Sequence, residues 1–409
     1  MKSSPPVKDT QAQAPERRLS RTEFTVMLAL LMATVAYSID AMLPAFPQIA
    51  ATFALDDPNR AQLVLTAFML GLGAGTFFVG PLSDAFGRKR VILAGTAVYL
   101  VGAMLAAQAQ SLEALLVARV VQGLGASAAR IVSMALVRDL YAGREMARVT
   151  SFIMMLFILV PAVAPSIGAL VISFAGWRGV FWSFAVFGLI GAGWLMIRQP
   201  ETLPPERRRP LHLATLWSAI KEILSHRDVR IYVVVLSLGF GQMFAMISSS
   251  QQLFAAHGVT DTFALWFAAM ALVAGTGTIF NAKFVMSLGM RKIASGSYLM
   301  QIIASGFMGI LAFSGLSEGP EGFIFVWAWA VSVFFMAGVT FGNINALAME
   351  KMGHIAGIAA SVITAISTLC AVLIAGPVGL MFDGTARPLV AATFLCSGSA
   401  WLLMKRVAP

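Results

Sequence analysis

"GPLSDAFGRKRVILAG", residues 80–95, is a short charged interruption in a chain that is otherwise apolar. An acid, a glycine and three consecutive cations (Asp84, Gly87 and Arg88-Lys89-Arg90) lie between two uncharged runs, each about 20 residues long and so able to cross a ~30 Å hydrocarbon core as a helix. The stretch reads as a tight polar turn joining two membrane-crossing helices. A fainter copy, "AKFVMSLGMRKIASG", occupies residues 282–296. Gly87 matches Gly289 at an offset of 202, close to half of the 409 residues, and Met286 stands where Asp84 stands. A repeat at that spacing implies two homologous helix bundles.

The rest of the chain agrees with that turn. It is 58% hydrophobic and only 12% charged, with a mean hydropathy of +0.82. A soluble domain carries roughly twice that charge. Helices or closed barrels alone satisfy their backbone in lipid, and no alternating ten-residue pattern of a barrel is present. Twelve apolar spans are expected, at 24–46, 61–81, 90–109, 113–137, 148–174, 180–197, 230–254, 263–286, 293–313, 322–349, 355–377 and 386–404. The fold class is therefore an all-α integral membrane protein with two pseudo-symmetric six-helix bundles, 24–197 and 230–405. Residues 1–23 read as a disordered polar tail without the apolar core of a signal peptide. Residues 198–229 read as a Pro/Arg-rich linker ending in an amphipathic segment, "LATLWSAIKEIL", suited to a membrane surface.

Orientation follows from the cations. With the N-terminus inside, 24 of the 29 Lys and Arg fall on inner segments, and only Arg60, Arg178 and Arg387 on outer loops. That bias places both termini in the cytoplasm of a bacterial-type inner membrane. It also accounts for the +10 net charge without any nucleic-acid partner. Cys370 and Cys396 both fall in spans, so neither a disulfide framework nor a metal site is expected.

The motifs then point to a family. "GPLSDAFGRKR" contributes Gly80, Leu82, Asp84, Gly87, Arg88 and Lys89 to the G-x-L-x-D-x-x-G-R-[KR] signature of the Major Facilitator Superfamily, which the chain resembles over nearly its whole length. "ARVVQGLGASA" resembles that superfamily's fourth-span signature through Arg119, Gln122, Gly123, Gly125 and Ala126. "APSIGA" resembles the Pro/Gly signature of its antiporter branch, with Ala164 and Ala169 replacing glycines. "SIDAMLPAFPQIA", "VRDLYAGREMAR", "GWRGVF" and "GIAASV" resemble the bicyclomycin/chloramphenicol-resistance type of drug:proton antiporter. The resemblance implies a rocking pair of bundles that exports small amphipathic compounds, driven by the proton gradient with no cofactor, as a monomer. A uniporter, an uptake symporter, an exporter of one metabolite or siderophore, and a transport-dead sensor stay open beside it. An enzyme is disfavoured, since no nucleophile triad or Walker loop is present, and "GLGAG" in span two follows no strand.

Ionisable groups inside spans are functional candidates. Asp40 lies about 24 Å above the start of span one, at 1.5 Å per residue. Arg119 sits at a similar depth in span four, which runs the other way. Burial disfavours the charged form of a carboxyl and a guanidinium nearby favours it, so Asp40 and Arg119 are the candidate proton-coupling pair. Pro44 and Pro47 are expected to end the helix about one turn beyond Asp40. Candidates for the substrate cavity are Tyr37, Gln122, Arg130, Gln242, Phe244, Phe335 and Asn343, set among 23 Met and 29 Phe that suit adaptable binding. Arg130, eleven residues past Arg119, returns to nearly the same helix face and would either attract anionic or carboxylated substrates or pair with inner-loop groups, and Gln122, at i+3 from Arg119, would either hydrogen-bond the substrate or orient Arg119. Gly80, Asp84, Gly87 and Arg88 form the candidate gate, with Asp84 near the start of span eleven. Gly71 and Gly75 of span two and Gly353 and Gly357 of span eleven are the candidate close contact there. Pro161, Pro165 and Gly168 would bend span five and pack it on span eight, where Gly277 offers a small partner.

Overall fold

The computed structural model describes residues 19–53, 55–208, 210 and 213–407. The segment expected to be disordered lies mostly outside these residues. The helices are α1 (Arg21–Asp40), α2 (Phe46–Thr52), α3 (Leu63–Phe86), α4 (Arg88–Ala107), α5 (Leu112–Leu140), α6 (Gly143–Arg198) and α7 (Leu213–Ser225). They continue as α8 (Arg227–Ala256), α9 (Phe263–Leu288), α10 (Met290–Phe313), α11 (Gly319–Met349), α12 (Ala356–Leu380) and α13 (Arg387–Lys405). Eleven helical segments are long and apolar enough to cross a membrane, α6 being counted once. At 56 residues α6 would be about 84 Å long as a single rod. Gly176, at φ 64° and ψ −175°, breaks it into two arms, 143–175 and 177–198. Only a residue without a Cβ adopts that backbone cheaply. The described residues therefore supply twelve membrane-length helices, as the hydropathy pattern predicts.

Local chemistry sets the ends. Ser20 and Ser111 accept from Glu23 N and Ala114 N at 3.1 Å and start α1 and α5. Gly87 and Gly289 end α3 and α9 with positive φ. Pro44 lies in the short 3-10 turn that follows α1, and Pro47 at the start of α2. Their effect reaches further than expected: α1 stops at Asp40 itself, with Ala41 as its cap, so the carboxylate is the last helical residue.

Small residues bring backbones together. A Cβ on Gly71 would lie 2.0 Å from Val120 O, and one on Gly123 2.1 Å from Phe68 O, so α3 and α5 touch main chain to main chain. Gly102 and Gly125 do the same for α4 against α5. This corrects the sequence expectation, because Gly71 and Gly75 face α5 and not span eleven. The α3–α12 contact uses Gly73, against Thr368 and Leu369, and Gly80, against Ser361. Gly353 and Gly357 have no atom near enough to crowd a Cβ.

The described residues begin and end, at 19 and 407, at one end of the bundle, called here the terminal end. At the opposite end a single apolar core joins both halves, running from Met42 and Phe68 through Phe184 to Phe254, Trp329 and Ala371. At the terminal end the cores are separate, one around Phe24, Val132 and Leu195 and one around Tyr232, Tyr298 and Val362. The halves also bond to each other at the far end. Asn59 Nδ2 donates to Phe382 O at 2.7 Å, Ser249 Oγ to Gln62 Oε1 at 2.9 Å, and Gln62 Nε2 to Gly379 O at 3.2 Å and to Gln252 Oε1.

Candidate functional site

Asp40 sits where α1 breaks, 4% exposed, with no hydrogen bond or ion pair to any described residue. The first arm of α6 presses on this break: a Cβ on Gly168 would lie 2.1 Å from Ala41 O. The antiporter-type stretch with Pro161, Pro165 and Gly168 is thus in direct contact with the backbone beside Asp40. The expected α6–α9 packing is present, but Gly277 of α9 serves a different neighbour, the backbone of Phe335 in α11.

Arg119 is completely buried but does not pair with Asp40. Its Nε donates to Val64 O at 3.1 Å, Nη1 to Gln122 Oε1 at 2.7 Å and Nη2 to Ser38 O at 3.0 Å. The guanidinium also lies over Phe68, 4.4 Å from the ring centroid. Carbonyl oxygens take the place that a carboxylate was expected to fill. Arg119 therefore ties α5 to α1 and α3, its bond to α1 falling on Ser38, two residues before Asp40. Ser38 adds a second tie, its Oγ 2.6 Å from Tyr99 Oη of α4.

Several proposed cavity residues turn elsewhere. Tyr37 packs against the second arm of α6, its hydroxyl 2.9 Å from Ser183 Oγ and its ring edge-on to Phe184, because residues 37 and 40 diverge by about 60° around the helix. Gln122 is fully buried and orients Arg119. Gln242, also fully buried, accepts from Ser397 Oγ of α13 at 2.9 Å, inside the second bundle. Phe244 stacks on Phe240, which meets Phe341 of α11 at 4.4 Å between centroids. Phe335 meets Phe280 at 5.9 Å, and Asn343 Nδ2 donates to Asn281 Oδ1 at 2.6 Å, so both join α11 to α9. Arg130 is half-buried on the face that carries Arg119.

The α3–α4 turn is a dense polar cluster. Arg88 pairs with Asp84, with Asp139 of α5 at 3.0 Å and with Ser83 Oγ at 2.8 Å. Asp84 is thus turned to Arg88 and not to the start of α12. Sequence reasoning missed Glu201, whose carboxylate accepts from Arg88 N at 2.8 Å and Lys89 N at 3.2 Å. Free N–H groups at a helix start favour an anion. A Cβ on Gly87 would lie 2.5 Å from Glu201 Oε2, and Gly87 has φ 102°. Thr202 Oγ1 donates to Asp139 Oδ2 at 2.9 Å and closes the ring. The available signal was the acid in "RQPETL", the first after the sixth span.

The sequence profile of the Major Facilitator Superfamily matches residues 26–403. The chain belongs to the Major Facilitator Superfamily. Within that superfamily it is 29% identical over 378 residues to a bicyclomycin resistance protein homolog of Haemophilus influenzae, covering 91% of this chain and 93% of the relative. It is 30% identical over 368 residues to a chloramphenicol resistance protein of Pseudomonas aeruginosa, covering 82% and 85%. Multidrug resistance protein D of Escherichia coli is 26% identical over 85% of this chain and 86% of its own. A crystal structure of a D-xylose-proton symporter superposes with a TM-score of 0.78 over 95% of this chain and 98% of its own, at 16% identity. That likeness concerns the fold, and it agrees with the two-bundle reading of the sequence. The relatives bear out the resemblance to drug exporters of the bicyclomycin/chloramphenicol-resistance type.

Proposed function

We propose that this member of the superfamily exports small amphipathic compounds of the drug or metabolite class in exchange for protons, by alternating exposure of a cavity between residues 24–197 and 230–405. The terminal end is read as cytoplasmic in an inner membrane, because the cation bias of the loops favours it. The working unit is a monomer, transport and not catalysis is its activity, and the proton gradient is its only energy source. The observation that carries the reading is Asp40. A carboxyl buried at a helix break, held by no cation among the described residues and pressed by the first arm of α6, has no structural ion pair to maintain. Its environment is free to change when the bundles move, and a proton carrier needs that freedom. Arg119 keeps α1, α3 and α5 in register around it.

The test is flux of chloramphenicol, as a probe, from proteoliposomes under an imposed pH gradient. Wild type should show gradient-driven flux. Asp40→Asn should lower it at least about 100-fold while the variant stays monodisperse and keeps its melting temperature within a few degrees. Full flux from Asp40→Asn would refute the assignment, and flux indifferent to the gradient would make the chain a uniporter.

A further inference from the structure

At the terminal end of the first half, the carboxylates near the helix ends are already engaged. Glu23 accepts from Arg198 at 2.7 Å and Glu145 from Arg21 at 2.6 Å. Asp84 and Asp139 share Arg88, and Glu201 sits on the start of α4. Deeper in, Arg119 is met by two carbonyls and an amide oxygen. Arg130 stands apart. Among the described residues, no hydrogen bond, ion pair or ring contact reaches its guanidinium.

Its position excludes a lipid-facing role. Val117 and Leu124, 65% and 37% exposed, mark the outward side of α5. At 100° per residue Arg130 points about 120–140° away from both and within about 20° of Arg119, which reaches α1 and α3. It lies about 16 Å closer to the terminal end than Arg119. At that end the two halves have separate cores. One turn further, about 60° around the helix, is Ser133, fully buried, whose hydroxyl has no hydrogen-bond partner among the described residues. Residues at i and i+3 are neighbours on a helix surface, so the unmet hydroxyl lies one turn from the cation.

We propose that Arg130, seconded by Ser133, is an anion subsite on the transport path, which takes the carboxylate of a small amphipathic substrate. The proposal rests on the transport reading above and narrows its substrate class. A guanidinium partly withdrawn from water with no counter-charge is unfavourable, and an arriving carboxylate relieves it through two parallel N–H···O bonds. A neutral amide of the same shape does not. Hydrogen bonds to charged groups of about 1.5–3 kcal/mol correspond to a preference of about 10- to 100-fold for the anion.

The experiment uses the full chain in nanodiscs and two matched pairs of radiolabelled probes, indole-3-acetate with indole-3-acetamide and 2-naphthoate with 2-naphthamide. Equilibrium dialysis should show each carboxylate binding at least 10-fold more tightly than its amide. Arg130→Gln should erase that preference to within about twofold while leaving the amide Kd unchanged. Arg130→Lys, which keeps the charge but not the fork, should retain part of it, and Ser133→Ala should cost the carboxylate two- to threefold. Equal binding of acid and amide by wild type, binding of neither, or a preference that survives in Arg130→Gln overturns the proposal. If Arg130→Gln does not fold, an undiminished preference in Arg130→Lys overturns it instead. Flux of either chloramphenicol or 2-naphthoate under a pH gradient is scored on the same wild-type preparation. Its absence defeats the proton-exchange reading and leaves the binding preference to be judged separately.

Discussion

The turn between α3 and α4 and the turn between α9 and α10 are two copies of one backbone. Gly87 has φ 102° and ψ 153°, and Gly289 has φ 85° and ψ 145°. Around Gly87 the space is filled by Glu201, with Asp84, Asp139 and Thr202 bound through Arg88 and its neighbours. Around Gly289 no atom lies close enough to meet an added Cβ, and Met286, in the place of Asp84, is 92% exposed. The shape of the turn is therefore retained without its chemistry. Backbone geometry is what the helix pair needs in both halves. The charges answer to something that meets only the first of the two turns, the polypeptide that links the two bundles.

Four substitutions probe that difference. The largest effect is expected from Gly87→Ala, which combines a left-handed backbone with a clash against Glu201. It should lower stability by about 2–3 kcal/mol and reduce flux more than 10-fold. Gly289→Ala meets only the backbone cost, about 1–2 kcal/mol, and should transport nearly normally. Thermal melts of both purified variants measure the contrast, and equal losses would show that the shared turn alone matters. A smaller effect is expected from Glu201→Gln, which keeps an acceptor for only one of Arg88 N and Lys89 N, since they use different carboxylate oxygens, and removes the charge at the start of α4. It should cost about 1 kcal/mol and weaken with added salt no further than wild type does. A melt unchanged from wild type would reduce Glu201 to a bystander. The smallest is expected from Met286→Asp, which restores the missing acid where Met290 stands in the place of Arg88. A change within about 0.5 kcal/mol is expected, and clear stabilisation would mean that the second turn retains a latent partner.

Sequence reading reached the fold because its determinants are local. Each span announces itself by 20 apolar residues, and the loop cations give a direction. The site was legible in part, and the failures have physical causes. Asp40, Arg119 and the Gly87 turn were visible because charge in a span and glycine in a turn are rare and costly. The partners of Arg119 were not, since Val64 and Ser38 offer main-chain oxygens that any residue type would offer. Glu201 was passed over because it lies 113 positions from the amide it caps. Gly71 and Gly75 showed that two helices touch but not which two. Tyr37 was assigned to the cavity from a spacing of three, and a spacing of three leaves enough angle for a ring to find another helix.

The amide seam at the far end has a consequence for the energy of opening. Asn59, Gln62, Ser249 and Gln252 hold the halves together there with neutral groups and backbone oxygens. Such bonds are each worth roughly 0.6 kcal/mol in a membrane protein, so the seam as a whole contributes about 2–3 kcal/mol. That contribution is a factor of about 100 in the closed-to-open ratio, added to what the apolar core shared by both halves supplies at the same end. Because none of these groups carries a charge, the contribution is insensitive to membrane voltage and to ionic strength. The seam acts as a detent laid over that core: it fixes the register in which the two halves meet, and it is released whenever they part.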